Sequence, residues 1–216
     1  MAKDFGIEEI TDFLQPSYNI APTQDVAVIV NREKKKLVSM RWGLVPYWST
    51  DPSGASKLIN ARAETLTSRA AFKEAFKKRR CLVLADGFFE WLKQGTTKTP
   101  MFIRLEPERS FAFAGLYEIW KPPLGAPLVT CTIITTEPNE LVRPIHDRMP
   151  VILPASSVDF WLDPSVEDHT RLLDLLRPFP ADEMSAYTVS DRVNSVKNDS
   201  QDCIEPVSVM GQQSLF

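Results

Sequence analysis

The sequence predicts an α+β fold, with an irregular, mainly antiparallel β-sheet or barrel-like core and short helices packed around it. Three observations lead there. Runs of β-branched and aromatic residues outnumber runs with helical spacing. The helical stretches fall between the strand-like ones without the strand–helix alternation of a parallel sheet. Seventeen prolines against eight glycines in 216 residues cut the chain into short elements joined by stiff turns.

The elements follow in order. Ile7, Ile10, Phe13 and Leu14 recur at helical spacing and predict a helix over 7–14. Residues 25–30 and 37–42 read as two strands around the charged turn 31–36, hence a hairpin. Residues 46–56, rich in Pro, Ser and Trp, are a loop. Ala70, Phe72, Ala75 and Phe76 give one apolar face to a short helix over 69–78. Residues 81–85 and 87–92 are apolar and strand-like, and 100–105 with 111–117 suggest a second hairpin. Residues 128–135 are a β-branched core strand. Short helices are expected at 158–162 and 170–176 in an acidic setting, and a last strand at 187–189. No internal repeat and no linker divides the chain.

Composition narrows the function. The chain is 44% hydrophobic and 25% charged, which excludes wholesale disorder, a collagen-like repeat and a coiled coil. No run of about 18 apolar residues is present to span a bilayer, and the N-terminal residues lack the apolar core of a signal peptide. Three cysteines, Cys81, Cys131 and Cys203, without C-x-x-C spacing argue against a disulfide framework or zinc site. A cytoplasmic monomer is expected, with no metal, no small-molecule cofactor and no membrane partner. Net charge is −3, yet residues 13–80 hold 13 Lys/Arg against 5 Asp/Glu, and residues 101–216 hold 9 against 17. One face could therefore meet a polyanion. The alternative is a solvated turn at Lys34–Lys36 and a helix C-terminus at Lys77–Arg80 favoured by the macrodipole.

Few polar residues interrupt the apolar segments, and burial of such groups is costly unless they are paired. Asn60, Arg62 and Glu64 alternate, so they share a face if extended; Asn60 could equally cap a helix. Glu90 lies among Phe88, Phe89 and Trp91. Desolvation there would raise its pKa and suit general acid–base work; an outward-facing strand residue is the alternative. His146 sits between Pro144 and Pro150, beside Asp147 and Arg148, either as a proton shuttle or as a structural histidine. His169, in an acidic helix, reads as a surface residue. Cys81 and Cys131 behave as small hydrophobes. Tyr18, Trp42, Tyr47 and Trp48 interleave with the basic stretch. This arrangement suits single-stranded nucleic acid, where bases stack and phosphates meet cations, or else ordinary core packing.

Six segments together resemble the SRAP family of SOS-response-associated peptidases, or abasic site processing proteins. They are Tyr18-Asn19-Ile20-Ala21-Pro22, Trp42-Gly43-Leu44-Val45-Pro46-Tyr47-Trp48, Asn60-Ala61-Arg62-Ala63-Glu64-Thr65, Asp86-Gly87-Phe88-Phe89-Glu90-Trp91, His146-Asp147-Arg148-Met149-Pro150 and Val193-Asn194-Ser195-Val196-Lys197-Asn198. Each is weak alone; six in order are specific. The resemblance covers about residues 5–207 and implies a single SRAP-like domain over 1–207; the polar stretch 208–216 is expected to be a disordered tail. The resemblance also implies DNA-damage chemistry on single-stranded DNA carrying abasic sites. In the family a cysteine follows the initiator methionine, and the protein removes that methionine itself. The freed amine condenses with the C1′ aldehyde of the abasic sugar, water leaves, and the thiol closes a thiazolidine. By resemblance, Asn60 positions the N-terminal residue and the opened sugar. Glu90 handles protons at the amine and in methionine removal, and His146 donates a proton to the sugar. Arg62, Arg69 and Arg148 grip phosphates, Pro22 and Trp48 wedge or stack where the strand kinks, and Asn19 joins the DNA-binding set.

One departure stands out. The family begins Met-Cys-Gly-Arg, whereas Ala2, Lys3 and Asp4 follow Met1 here. The expectation is a start downstream of the family's own or an altered end; a paralogue without the thiol is the alternative. An amine alone supports only a reversible Schiff base, because ring closure needs amine and sulfur on one residue. The other classes left open are a non-catalytic single-stranded-DNA-binding module, a peptidase acting on other proteins, and a DNA-independent structural protein.

Overall fold

A computed structural model describes residues 5–12 and 15–207 of the chain. Among these residues eleven strands occur: β1 (Glu9–Ile10), β2 (Asp25–Asn31), β3 (Lys35–Trp42), β4 (Asn60–Arg62), β5 (Arg80–Ala85), β6 (Phe88–Gln94), β7 (Thr97–Leu105), β8 (Phe111–Trp120), β9 (Leu128–Thr136), β10 (Met149–Pro150) and β11 (Met184–Thr188). Three α-helices accompany them: α1 (Ala70–Lys78), α2 (Val158–Leu162) and α3 (His169–Asp174). The α+β expectation holds.

The larger sheet closes on itself. β2 pairs antiparallel with β3 and with β5, β5 with β8, and β8 with β9. β3 then meets β9 in parallel, through Arg41–Thr130 and Trp42–Cys131. The ring of β2, β3, β5, β8 and β9 is a small barrel, closed by those two residue pairs, while the first half of β3 keeps an edge open to β1. β4 and β10 flank the C-terminal end of β9, parallel and antiparallel respectively. A second, three-stranded antiparallel sheet runs β11-β7-β6.

Alternation along the barrel strands builds two cores. Val26, Val28, Cys81, Val83, Phe113 and Cys131 lie on one face, packed with Ile103, Leu105 and Met184 of the second sheet. Ile29, Leu82, Leu84, Ala112, Leu116 and Ile134 lie on the other, under Phe72 and Phe76 of α1, Trp161 of α2 and Leu172 of α3. Both faces are covered, so these strands read as nearly continuous apolar runs. Arg80 ties the helical layer to the barrel. It is 5% exposed, and its guanidinium donates to Trp161 O at 2.8 Å, Phe76 O at 2.9 Å and Lys77 O at 2.8 Å, and also to the carbonyl of Asp163. It thus satisfies the orphan carbonyls where α1 and α2 end. Lys77 and Lys78 in the last turn of α1 complement its dipole.

Two glycines are required by close approach. A Cβ on Gly43 would lie 2.8 Å from Ala55 O, and its φ is +123°. A Cβ on Gly87 would lie 2.1 Å from Phe102 Cζ, at the bend that leads β5 into β6.

Some expectations are corrected. In place of a helix over 7–14, Glu9–Ile10 extend alongside β3, pairing with Lys36 and Leu37; Phe13 and Leu14 lie outside the described residues. The edge of β3 offered backbone partners that a short isolated helix lacks. Residues 100–105 and 111–117 do not pair as a hairpin. β7 pairs with β6 across the two-residue turn 95–96, while β8 enters the barrel between β5 and β9. The two-residue turn favours its own flanking strands over a partner reached through a longer connection. His169 is half-buried against Phe76, ring centroids 5.6 Å apart, rather than a surface residue. The tail at 208–216 and residues 1–4 lie outside the described residues.

Candidate active site

Glu90 and His146 meet across the molecule. Glu90 is on β6 of the second sheet, paired with Met101. His146 is in the stiff segment that leads into β10. Its Nδ1 lies 3.9 Å from Glu90 Oε1 and 3.4 Å from Asp147 Oδ1. The first distance is too long for a hydrogen bond. Burial pushes the Glu90 carboxyl above its ordinary range. His146 and Lys93 pull it back, Asp147 adds to the rise, and the Trp91 N–H lowers it. The imidazole is held by one neighbour in either protonation state: Arg148 N–H donates to Nδ1 at 3.2 Å, and Arg148 O lies 3.1 Å away to accept. The ring keeps a partner whether Nδ1 carries a proton or not. The two groups line an open cleft of about 470 Å³ together with Trp91, Lys93, Lys98 and Asn194.

β4 carries the alternating trio. Asn60 and Arg62 are extended and exposed, Ala61 and Ala63 are buried, and Glu64 continues the exposed face in a 3₁₀ turn. The helix-cap alternative for Asn60 therefore falls. Glu64 and Arg148 form a two-pronged ion pair, at 2.7 and 3.0 Å, and Arg148 Nη2 also donates to Thr135 O at 2.6 Å. The Arg148 guanidinium holds the Glu64 carboxyl below its usual range. This pair links β4 to the His146 segment. Asn60 is not among the lining residues of the cleft; β4 and β10 lie on opposite sides of β9.

The first and last motifs are joined by one side chain. Asn19 is 6% exposed, and its Nδ2 donates to the carbonyls of Val193, Ser195 and Asn198 at 3.1, 3.2 and 2.9 Å. Its amide nitrogen is thus committed to holding the 193–198 segment. That segment in turn supplies Asn194 Oδ1, which accepts from Trp91 Nε1 at 2.8 Å beside the cleft. Pro22, Arg62 and Arg69 are exposed, with the Arg69 guanidinium 5.3 Å from the Phe72 ring centre. Trp48 is 56% and Tyr47 55% exposed, so the core-packing reading fails for Trp48. Trp42 is anchored, its Nε1 donating to Ile59 O at 2.9 Å. Cys81 and Cys131 are buried and free, and burial pushes both thiols up.

Sequence reading overlooked Lys93 and Lys98. A signal existed: a two-residue turn at 95–96 sets 93 and 98 opposite each other on the strands that carry Glu90.

A carboxyl and an imidazole thus face one open cleft, between the second sheet and the segment that enters β10. The family model for SOS response associated peptidase (SRAP) matches residues 1–196, and the chain belongs to that family. The abasic site processing protein YoqW of Bacillus subtilis (strain 168) is 50% identical over 192 residues, covering 88% of this chain and 86% of the relative. The abasic site processing protein HMCES of Gallus gallus is 36% identical over 228 residues, covering 90% of this chain and 67% of that one. A crystal structure of a protein from Bacteroides thetaiotaomicron superposes with a TM-score of 0.79 at 30% identity, covering 86% of this chain and 82% of that chain.

Proposed function

We propose that this chain recognises abasic sites in single-stranded DNA and carries out proton transfers on the opened sugar in the Glu90–His146 cleft. The observation that carries the reading is the half-buried carboxyl of raised pKa 3.9 Å from an imidazole. When an amine condenses with an aldehyde, a C–N bond forms, and the C–O bond breaks as water leaves. The amine must lose protons and the departing hydroxyl must gain one. Glu90, whose raised pKa lets it exchange a proton nearer neutrality, serves the amine. His146, partnered in both protonation states, serves the sugar oxygen. Asn60, exposed on β4 and outside the lining of the cleft, holds the N-terminal residue and the opened sugar from the other side of β9. Exposed Trp48 and Pro22 occupy the kink, and Arg62 and Arg69 meet phosphates. Arg148 meets a phosphate by exchanging the Glu64 carboxylate for it. Asn19 contributes by fixing the 193–198 segment.

A polypeptide that begins Met1-Ala2 offers an amine without a thiol on the same residue, so the adduct expected of it is a reversible imine. The test is incubation with a single-stranded oligonucleotide carrying one abasic site, with and without borohydride, followed by a denaturing gel. A borohydride-dependent adduct, absent with intact DNA, is expected. No adduct contradicts the imine chemistry, and a heat-stable adduct without borohydride contradicts the role given to the thiol.

A further inference from the structure

Beyond the pull of Lys93 on the Glu90 carboxyl, the chemistry above gives two lysines of the cleft no role. Lys93 and Lys98 are register partners across the β6–β7 hairpin. Like charges directly opposite destabilise a sheet. Among the described residues neither ammonium forms an ion pair. Both are exposed and line the same cleft as Glu90 and His146. Directly opposed Cβ atoms sit about 4.5–5.5 Å apart, and each ammonium rides a flexible four-carbon stem. The two charges can converge on one anion with several oxygens, which turns a repulsive pair into a favourable one. Trp91 lines the cleft beside them, its indole fixed by Asn194.

We propose that Lys93 and Lys98 form a two-ammonium clamp for one backbone phosphate of the strand whose lesion lies at Glu90 and His146. The clamp rests on the DNA reading above and adds a register to it. Gripping one phosphate beside the acid–imidazole pair favours one register of the strand in the cleft.

Salt-dependent binding of the full chain to single-stranded DNA tests this. Neutralising one phosphate contributes about 0.7 to the slope of log K against log salt for a single strand. The variant Lys93→Gln/Lys98→Gln should flatten the slope by about that amount and weaken low-salt binding roughly tenfold, on the scale of one charge-assisted contact. Lys93→Arg/Lys98→Arg should restore both. Lys98→Glu, which places opposite charges across the hairpin, should raise Tm while weakening binding; a merely structural pair would not separate the two. Replacing single linkages by neutral methylphosphonates should reveal one position that costs the parent about tenfold and the double glutamine variant nothing. Parent binding with an unchanged slope in the double glutamine variant, or no such single position, overturns the clamp alone. Failure of the parent to bind single-stranded DNA overturns the clamp and the reading beneath it.

Discussion

The two ends of β5 and its continuation show contrasting chemistry. At the start, Arg80 is buried and every direction of its guanidinium meets a carbonyl from the ends of α1 and α2. Past the end, β6 leaves Glu90 half-buried beside the cleft and sets Lys93 against Lys98. The first charge is fully partnered and holds the helical layer on the barrel. The second set carries uncompensated costs: a carboxyl pushed toward neutrality and two facing cations. Charges whose partners lie within the fold stabilise it. Charges that the fold partners incompletely are, under the proposed function, the ones a ligand would complete.

The largest effect should come from breaking the satisfied end. Arg80→Ala strips the donor from carbonyls of Phe76, Lys77, Trp161 and Asp163, and should cost about 3–5 kcal/mol in urea unfolding. Asn19→Ala should come next, at about 1–3 kcal/mol. Its signature is faster hydrogen exchange confined to the 193–198 segment, and a loss spread evenly over the chain would contradict the assigned role. Trp48→Ala acts on the ligand side. Its exposed ring should contribute about 1–3 kcal/mol to single-strand binding, and Tm should barely move.

Glu90→Gln sharpens the contrast most. Because the folded carboxyl titrates above its ordinary value, the native state binds more protons than the unfolded chain between the two pKa values. Its stabilising contribution is present below the unfolded value and is lost as pH rises through the folded one. Removing the charge should therefore raise Tm at neutral pH, with the gain vanishing in acid. A Tm that falls at neutral pH would show that the ionised carboxylate supports the fold.

Much of the fold was legible because burial on both faces writes itself as β-branched and apolar runs. β2, β3, β5 and β9 were all readable in this way. The closure was not: β3 and β9 pair through Arg41–Thr130 and Trp42–Cys131, a contact between distant segments that periodicity does not encode. The segment at 7–14 misled because its apolar spacing suits a helix, while the free edge of β3 decided otherwise. At the site, Glu90 and His146 were visible as polar groups in apolar or stiffened surroundings. Their approach was not, since it depends on the second sheet folding back beside β10. Asn19 appeared as a DNA contact through its motif, and only coordinates reveal that its amide nitrogen holds the segment that positions Trp91.

The pH dependence of imine formation on an abasic single strand tests the central claim most directly. The parent should show an acidic limb above the ordinary carboxylate range, and Glu90→Gln should abolish that limb and slow the plateau about 100-fold, as expected for a positioned acid–base group. A Glu90→Gln profile that superimposes on the parent would remove the carboxyl from the chemistry and contradict the account.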